Sequence, residues 1–169
     1  MRRGFRGEVV QKVDQKGRVS VPAQFRRVLE EGDPDWSPGQ NPNMVLIYGM
    51  PSGNCLDGYT IEGAAELDAK VSRLSTFSKE RRALERLLNS QSIYAQVDEN
   101  GRIVLPQRLR DSFGLGEEAL FAGMGGHFQI WSPAAYEADM QGIADWRAGL
   151  AEDADPFALL DAMERADRV

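Results

Sequence analysis

The chain has 169 residues, 42% of them apolar and 27% charged, with a formal net charge of −6. That is enough for one medium domain or two small ones around a real core, and it excludes a disordered or collagen-like chain. Cys55 is the only cysteine, which excludes a disulfide scaffold, and no run approaches the roughly 20 apolar residues of a membrane span.

The chain opens on a basic stretch, Met1-Arg2-Arg3-Gly4-Phe5-Arg6. No apolar run follows it, so neither a signal peptide nor a twin-arginine address is read there, and the cytoplasm is the expected residence. Glu8 to Val13 is rich in valine and β-prone. Asp14-Gln15-Lys16-Gly17 suits a tight turn, with Asp14 bonding nearby N–H groups and Gly17 free to take a positive φ. Arg18-Val19-Ser20-Val21 then leaves as a strand, and the two strands are expected to pair as a hairpin. Pro22 fits the first turn of a short helix that holds Phe25, Val28 and Leu29, with Gly32 as its stop. Residues 31–43, with three prolines and two glycines, read as an insertion loop. Strands at about 44–48 and at Leu56 to Thr60 complete a β-β-α-β-β unit.

From Glu62 to Asn89 the apolar residues fall at helical spacing: Leu67, Val71 and Leu74, then Leu84, Leu87 and Leu88. Two helices are expected, or one broken near Ser75-Thr76, with Ser78 as an N-cap. The segment that follows repeats the first. Val13-Asp14-Gln15-Lys16-Gly17-Arg18-Val19-Ser20-Val21-Pro22-Ala23-Gln24-Phe25-Arg26 returns 84 residues later as Val97-Asp98-Glu99-Asn100-Gly101-Arg102-Ile103-Val104-Leu105-Pro106-Gln107-Arg108-Leu109-Arg110, identical at six of fourteen positions. Average composition predicts roughly one chance identity in such a window. Ser92 to Val97 and Arg102 to Leu105 are the second hairpin. A helix follows with Leu109 and Phe113, stopped by Gly114, then strands at about 119–122 and Phe128 to Trp131. More loosely, Leu46 to Met50 matches Leu120 to Met124, and Tyr59-Thr60 matches Trp131-Ser132. The tail after Pro133 is helical around Tyr136, Met140 and Ile143. Beyond Trp146 it becomes acidic and alanine-rich. Trp146, Leu150, Phe157 and Leu160 could line an apolar stripe, and the composition of the far end is compatible with disorder.

Catalysis finds little support. His127, the only histidine, stands in Met124-Gly125-Gly126-His127-Phe128 without metal-type spacing. No Walker A loop, G-x-G-x-x-G or G-x-S-x-G is present, so no enzyme, metal or cofactor is expected. A Cys55–His127 nucleophile pair stays open on spacing alone. The plainer reading makes Cys55 a small buried residue and His127 a polar residue at a strand edge.

Charge is segregated. Residues 1–30 carry +5 and residues 70–110 carry +5, whereas residues 31–69 carry −7 and residues 111–169 carry −9. The basic blocks coincide with the repeated motifs. A two-stranded ribbon fits the major groove, and arginine is the best bidentate partner for guanine O6 and N7. Arg18 and Arg102 are therefore candidate base readers, with Lys12, Lys16, Arg2, Arg3 and Arg6 as candidate phosphate partners. The competing reading has Arg18 and Arg102 bridging to Asp14 and Asp98 and merely stiffening the turns. Both can hold together.

Phe5-Arg6-Gly7, Asp14-x-Lys16-Gly17-Arg18-Val19-Ser20-Val21-Pro22 and Asp98-x-x-Gly101-Arg102-Ile103-x-Leu105-Pro106 resemble the MraZ family of bacterial transcriptional regulators, built from two SpoVT-AbrB-like repeats. The resemblance covers about residues 4–135. It implies an α+β, mainly β fold: two swapped-hairpin β-barrel units packed in one pseudo-symmetric protomer with linking helices. The repeats then span 5–61 and 91–135, with a helical linker at 62–90 and a helical acidic tail at 136–169. It further implies a ring-shaped homo-oligomer that binds double-stranded DNA at short direct repeats, repressing its own division and cell wall operon, in the cytoplasm and at the nucleoid. Carried over residue by residue, the DNA-facing set is Asp14, Lys16 and Arg18 with Asp98 and Arg102. Asn100 replaces Lys16 in the second copy and weakens that half in charge. An antitoxin-type regulator of the same superfamily, holding a protein partner with its acidic tail, is the alternative.

Overall fold

The Asp-x-x-Gly tetrads do form tight turns, but the strands flanking each turn part from one another. In the computed structural model, which describes residues 3–50, 54–151 and 154–168, β1 (Glu8–Lys12) and β2 (Arg18–Ser20) are joined only by a bridge between Val13 and Val19. The expected hairpins are therefore corrected. The ladder partner of β1 is β7 (Glu118–Gly123), that of β5 (Ser92–Gln96) is β3 (Asn43–Ile47), and β2 pairs with β6 (Arg102–Val104). Each partner comes from the other copy. The physical reason is burial: pairing β2 with β6 carries Val19, Val21, Ile103 and Leu105 together into one core and satisfies edges that either copy alone would leave open.

With β4 (Leu56–Thr60) and β8 (Phe128–Trp131), six strands form one antiparallel sheet ordered β1-β7-β8-β4-β3-β5. Exchanging the two copies leaves that order unchanged. The described strands close no barrel within either copy: they make this sheet and the separate β2–β6 ribbon. The fold is α+β, with its strands antiparallel and helices around them.

The pairing also defines the true equivalence of the copies. Val19 faces Ile103 and Asp57 faces Gln129, so the pseudo-twofold axis passes through both pairs. The β1–β7 and β3–β5 registers then superpose only if Met44 matches Ala119 and Leu46 matches Phe121. The looser match of Leu46 to Leu120 is thus out by one residue. A one-residue slip flips every side chain to the opposite face, and it is Leu46 and Phe121 that both point into the core.

Helix α1 (Ala23–Glu31) and helix α4 (Gln107–Ser112) follow the ribbon strands. Pro22 and Pro106 stand at their N-caps, one position earlier than expected, and the proline carbonyls accept from Arg26 N and Arg110 N at 3.0 Å. Helix α4 ends as the sequence suggests: Gly114 takes φ 65°, and Leu115 N donates to Arg110 O at 2.8 Å, a Schellman closure. Gly32 ends α1 at φ −92°, where glycine is needed for closeness, because a Cβ there would collide with the Thr60 side chain.

The core lies between the sheet and the layer made by the ribbon with α1 and α4. On one side of the pseudo-axis it is aromatic, with Phe5, Phe25, Phe121 and Phe128 packed edge-on, tilted or stacked at ring-centroid distances of 5.0–6.4 Å. Three of these have leucine equivalents across the axis: Leu109 for Phe25, Leu46 for Phe121 and Leu56 for Phe128. The linker is two helices, α2 (Ile61–Ser72) and α3 (Lys79–Glu85), with a π-helical turn at Arg86–Ser90. Ser78 caps α3 by accepting from Arg81 N at 3.1 Å. Val71 and Leu88 cover the outer face of the sheet against Ile47, with Leu67 and Leu84 packed beside them.

Residues to Pro133 form one compact unit and residues from Ala134 a second. The second carries most of α5 (Pro133–Ala148) and all of α6 (Pro156–Asp167). The far end, whose composition allowed disorder, is helical here: Asp155 caps α6 by accepting from Phe157 N at 2.9 Å, and Pro156 opens its first turn.

Candidate nucleic-acid interface

Each turn is organised by its aspartate. Asp14 Oδ1 accepts from Lys16 N at 3.0 Å and from Arg18 N at 2.8 Å, while Oδ2 accepts from Arg18 Nε at 2.6 Å. In the second copy Asp98 Oδ1 accepts from Asn100 N at 2.8 Å and Arg102 N at 3.0 Å. There the side-chain clamp is slacker: Arg102 Nε lies 3.7 Å from Asp98 Oδ2 and has no hydrogen-bond acceptor among the described residues. The N–H of Arg18 and that of Arg102, bonded to their own carboxylates, hold Asp14 and Asp98 below the usual aspartate range. Arg18 also depresses Asp98 across the pseudo-axis, so the two turns share one electrostatic neighbourhood.

Their closeness follows from the β2–β6 ladder. Val21 N donates to Gly101 O at 2.9 Å and Leu105 N to Gly17 O at 2.7 Å, so each turn glycine is stitched to the other copy's strand. Gly17 (φ 85°) and Gly101 (φ 77°) need glycine for conformation and for space. A Cβ on Gly17 would meet Leu105 O and the Arg110 guanidinium, and one on Gly101 would meet that of Arg26. Arg110 Nε donates to Leu105 O at 2.9 Å. Arg26 and Arg110, the last identity of the repeat, therefore roof the opposite copy's turn. The repeat exposed the pair, but only the crossed topology reveals what they cover.

Side chains alternate along the ribbon. Val19 and Ile103 turn inward and are buried, while Arg18, Ser20, Arg102 and Val104 turn outward. The arginine side chains keep 38% and 30% of their surface. The structure thus brings Asp14, Lys16, Arg18, Asp98 and Arg102 to one face. Lys12, the exposed last residue of β1, leads directly into the first turn. Arg6 and Arg3 are exposed before the opposite end of β1, because an extended strand of five residues separates them from Lys12 by about 17 Å or more. Arg2 lies outside the described residues. Chemically, this face offers one guanidinium clamped by a carboxylate, a second beside a carboxylate, and an ammonium to a ligand rich in acceptors or negative charge.

Relatives across nearly the whole chain carry the same label. The chain is 49% identical to the transcriptional regulator MraZ of Ruegeria pomeroyi over 162 residues, covering 95% of this chain and 97% of the relative. It is 39% identical to that of Cereibacter sphaeroides over 168 residues, covering 95% and 98%. The chain belongs to the MraZ family. The family model, described as MraZ protein, putative antitoxin-like, matches residues 92–155, and the Roseiflexus castenholzii MraZ is 38% identical over 133 residues, 79% of this chain and 84% of its own. MraZ proteins are transcriptional regulators, not enzymes.

The structure does not bring Cys55 and His127 together. Cys55 and His127 each precede a strand of the antiparallel β4–β8 ladder and so stand at its opposite ends. His127 stacks on Tyr59 with ring centroids 4.9 Å apart, and its Nε2 lies 3.4 Å from the buried Asp57. Burial raises the Tyr59 hydroxyl above its ordinary value, reinforced by Asp57. Among the described residues no cluster could hold a metal ion, and no helix is long and apolar enough to cross a membrane.

Proposed function

We propose that this regulator binds double-stranded DNA in a sequence-specific manner through the β2–β6 ribbon. The observation that carries the reading is the placing of two Asp-x-x-Gly-Arg turns at the two ends of one short antiparallel ribbon, with Arg18 and Arg102 diagonal neighbours on its outward face. A two-stranded ribbon fits the major groove, where these arginines would donate to guanine O6 and N7. Lys16 and Lys12 would meet flanking phosphates, with Asp14 and Asp98 setting the arginine angles. Arg6, at the far end of β1, would meet phosphate only on DNA that runs along the strand.

The target is DNA upstream of its own gene, in short direct repeats, and the outcome is repression of its own operon, the division and cell wall gene cluster. The working form is a ring-shaped homo-oligomer in the cytoplasm, associated with the nucleoid. Two features support assembly: among the described residues neither sheet edge, β1 or β5, has a further ladder partner, and Val10 and Tyr94 are exposed on them at equivalent positions. A ring would present each basic face repeatedly and let a chain of net charge −6 hold DNA through many weak contacts. A second reading has its own support, since α6 exposes Phe157, Leu160 and Met163 beside acidic residues, a surface suited to a protein partner.

The deciding experiment is fluorescence anisotropy of the purified chain with upstream DNA and a scrambled duplex, each titrated with salt. Sequence-preferring binding whose log K falls linearly with log salt, by about 0.9 per phosphate contact, is expected. No binding at low salt would overturn the DNA reading and turn attention to α6.

A further inference from the structure

The pseudo-twofold ribbon is symmetric in backbone but not in chemistry. On its outward face Arg18 stands opposite Val104, and Arg102 stands opposite Ser20. Ser20 and Val104 are themselves equivalent positions, so the cross-strand neighbour is apolar for Arg18 and a hydroxyl for Arg102. Both pairs are of the non-hydrogen-bonded kind, because the backbone bonds flank them at Val21–Gly101 and Leu105–Gly17. Side chains in such pairs approach within about 5 Å of one another.

Val104 lies outside the core. It is 55% exposed on a face otherwise polar, and its inward neighbours Ile103 and Leu105 already fill the core. A β-branched residue suits the strand itself, and at that exposure Val104 also offers apolar surface beside Arg18 to whatever meets this face. An object that meets Arg18 also meets Val104.

We infer that Val104 is a base-reading residue that packs on the C5-methyl group of a thymine next to the base contacted by Arg18. This rests on the DNA-binding reading above and deepens it. Apolar contact is the one direct signal by which the major groove separates thymine from other bases, and it requires an exposed apolar side chain at groove depth. Arg102 and Ser20 lack that element, so their half of the ribbon carries no thymine-methyl preference. Each protomer consequently has a direction on its DNA, although its backbone has none.

The test uses the full chain and a duplex selected by it from a random-sequence library. Thymines in that duplex are replaced one at a time by deoxyuridine, which removes only the methyl group. The wild type is expected to lose about fourfold in affinity at one or two positions, the value of burying one methyl group. Val104→Ser is expected to bind both duplexes alike at those positions. Ser20→Val is expected to create a second deoxyuridine-sensitive position on the other side of the site. Position 104 is exposed, so Val104→Ser should fold, and circular dichroism checks that it does. Tight wild-type binding that no deoxyuridine substitution weakens beyond twofold, or equal sensitivity in Val104→Ser, would overturn the inference while leaving DNA binding intact. Failure to select any duplex would overturn DNA binding itself, and this inference with it.

Discussion

At the scale of single residues, the turns explain why glycine and aspartate recur 84 positions apart. Gly101 lies at φ 77° beneath the Arg26 guanidinium, so Gly101→Ala imposes a left-handed alanine and displaces that arginine. We expect a loss of about 1–2 kcal/mol or more in urea denaturation. The aspartates make a separate prediction about pH. Their folded carboxyls release protons more readily than the ordinary aspartate value of 3.8. The stability they contribute is therefore complete above that value and drains away as pH falls through the lower folded values. Asp14→Asn and Asp98→Asn should flatten the fall in denaturation midpoint below about pH 4; an unchanged acid limb would refute the assignment. On DNA, Arg18→Ala should cost about 1–3 kcal/mol and relax base preference, whereas Lys16→Ala should weaken specific and random duplexes alike. Equal losses for Arg18→Ala on both duplexes would contradict base reading.

Elements show what alternation and spacing can and cannot reveal. The four strands after the turns, the linker helices and the Ser78 cap were legible, because each is dictated by neighbours within a few residues. The hairpins were not. A turn says that the chain reverses, but the ladder that follows depends on which edge best completes a core, and that edge lay in the other copy. The β4–β8 contact illustrates the same dependence. Gly58 lies in the middle of β4, and a Cβ there would meet the Phe128 ring, which is backed by Phe5, Phe25 and Phe121. Gly58→Ala should therefore cost about 1–3 kcal/mol by overpacking, readable as a lower thermal midpoint. At the start of α2, Thr60 accepts from Gly63 N at 2.8 Å, and Thr60→Ala should cost about 1 kcal/mol by the same measurement.

For the whole molecule, charge and assembly belong together. Two basic blocks with a net of +5 each are brought to bear by a chain that is acidic overall. A single protomer would then bind DNA weakly, and binding should steepen with protein concentration as copies associate. Light scattering of the purified chain should give a mass several times 18.8 kDa. A monodisperse protomer at micromolar concentration would count against the ring and leave the ribbon as the only binding element.

The sequence by itself determined the repeat, the turn chemistry, the family and the residue types that could face DNA. All of these rest on local rules: glycine where φ is positive, aspartate where N–H groups need an acceptor, arginine at one fixed step after each turn. Only the tertiary structure decided which strands the copies trade and in what register, that Arg26 and Arg110 each roof the other copy's glycine, and that Val104 stands opposite Arg18 on the outward face. Those facts depend on register between segments some 80 residues apart. Register is settled by which side chains fill the common core, a global property that no short window of sequence contains.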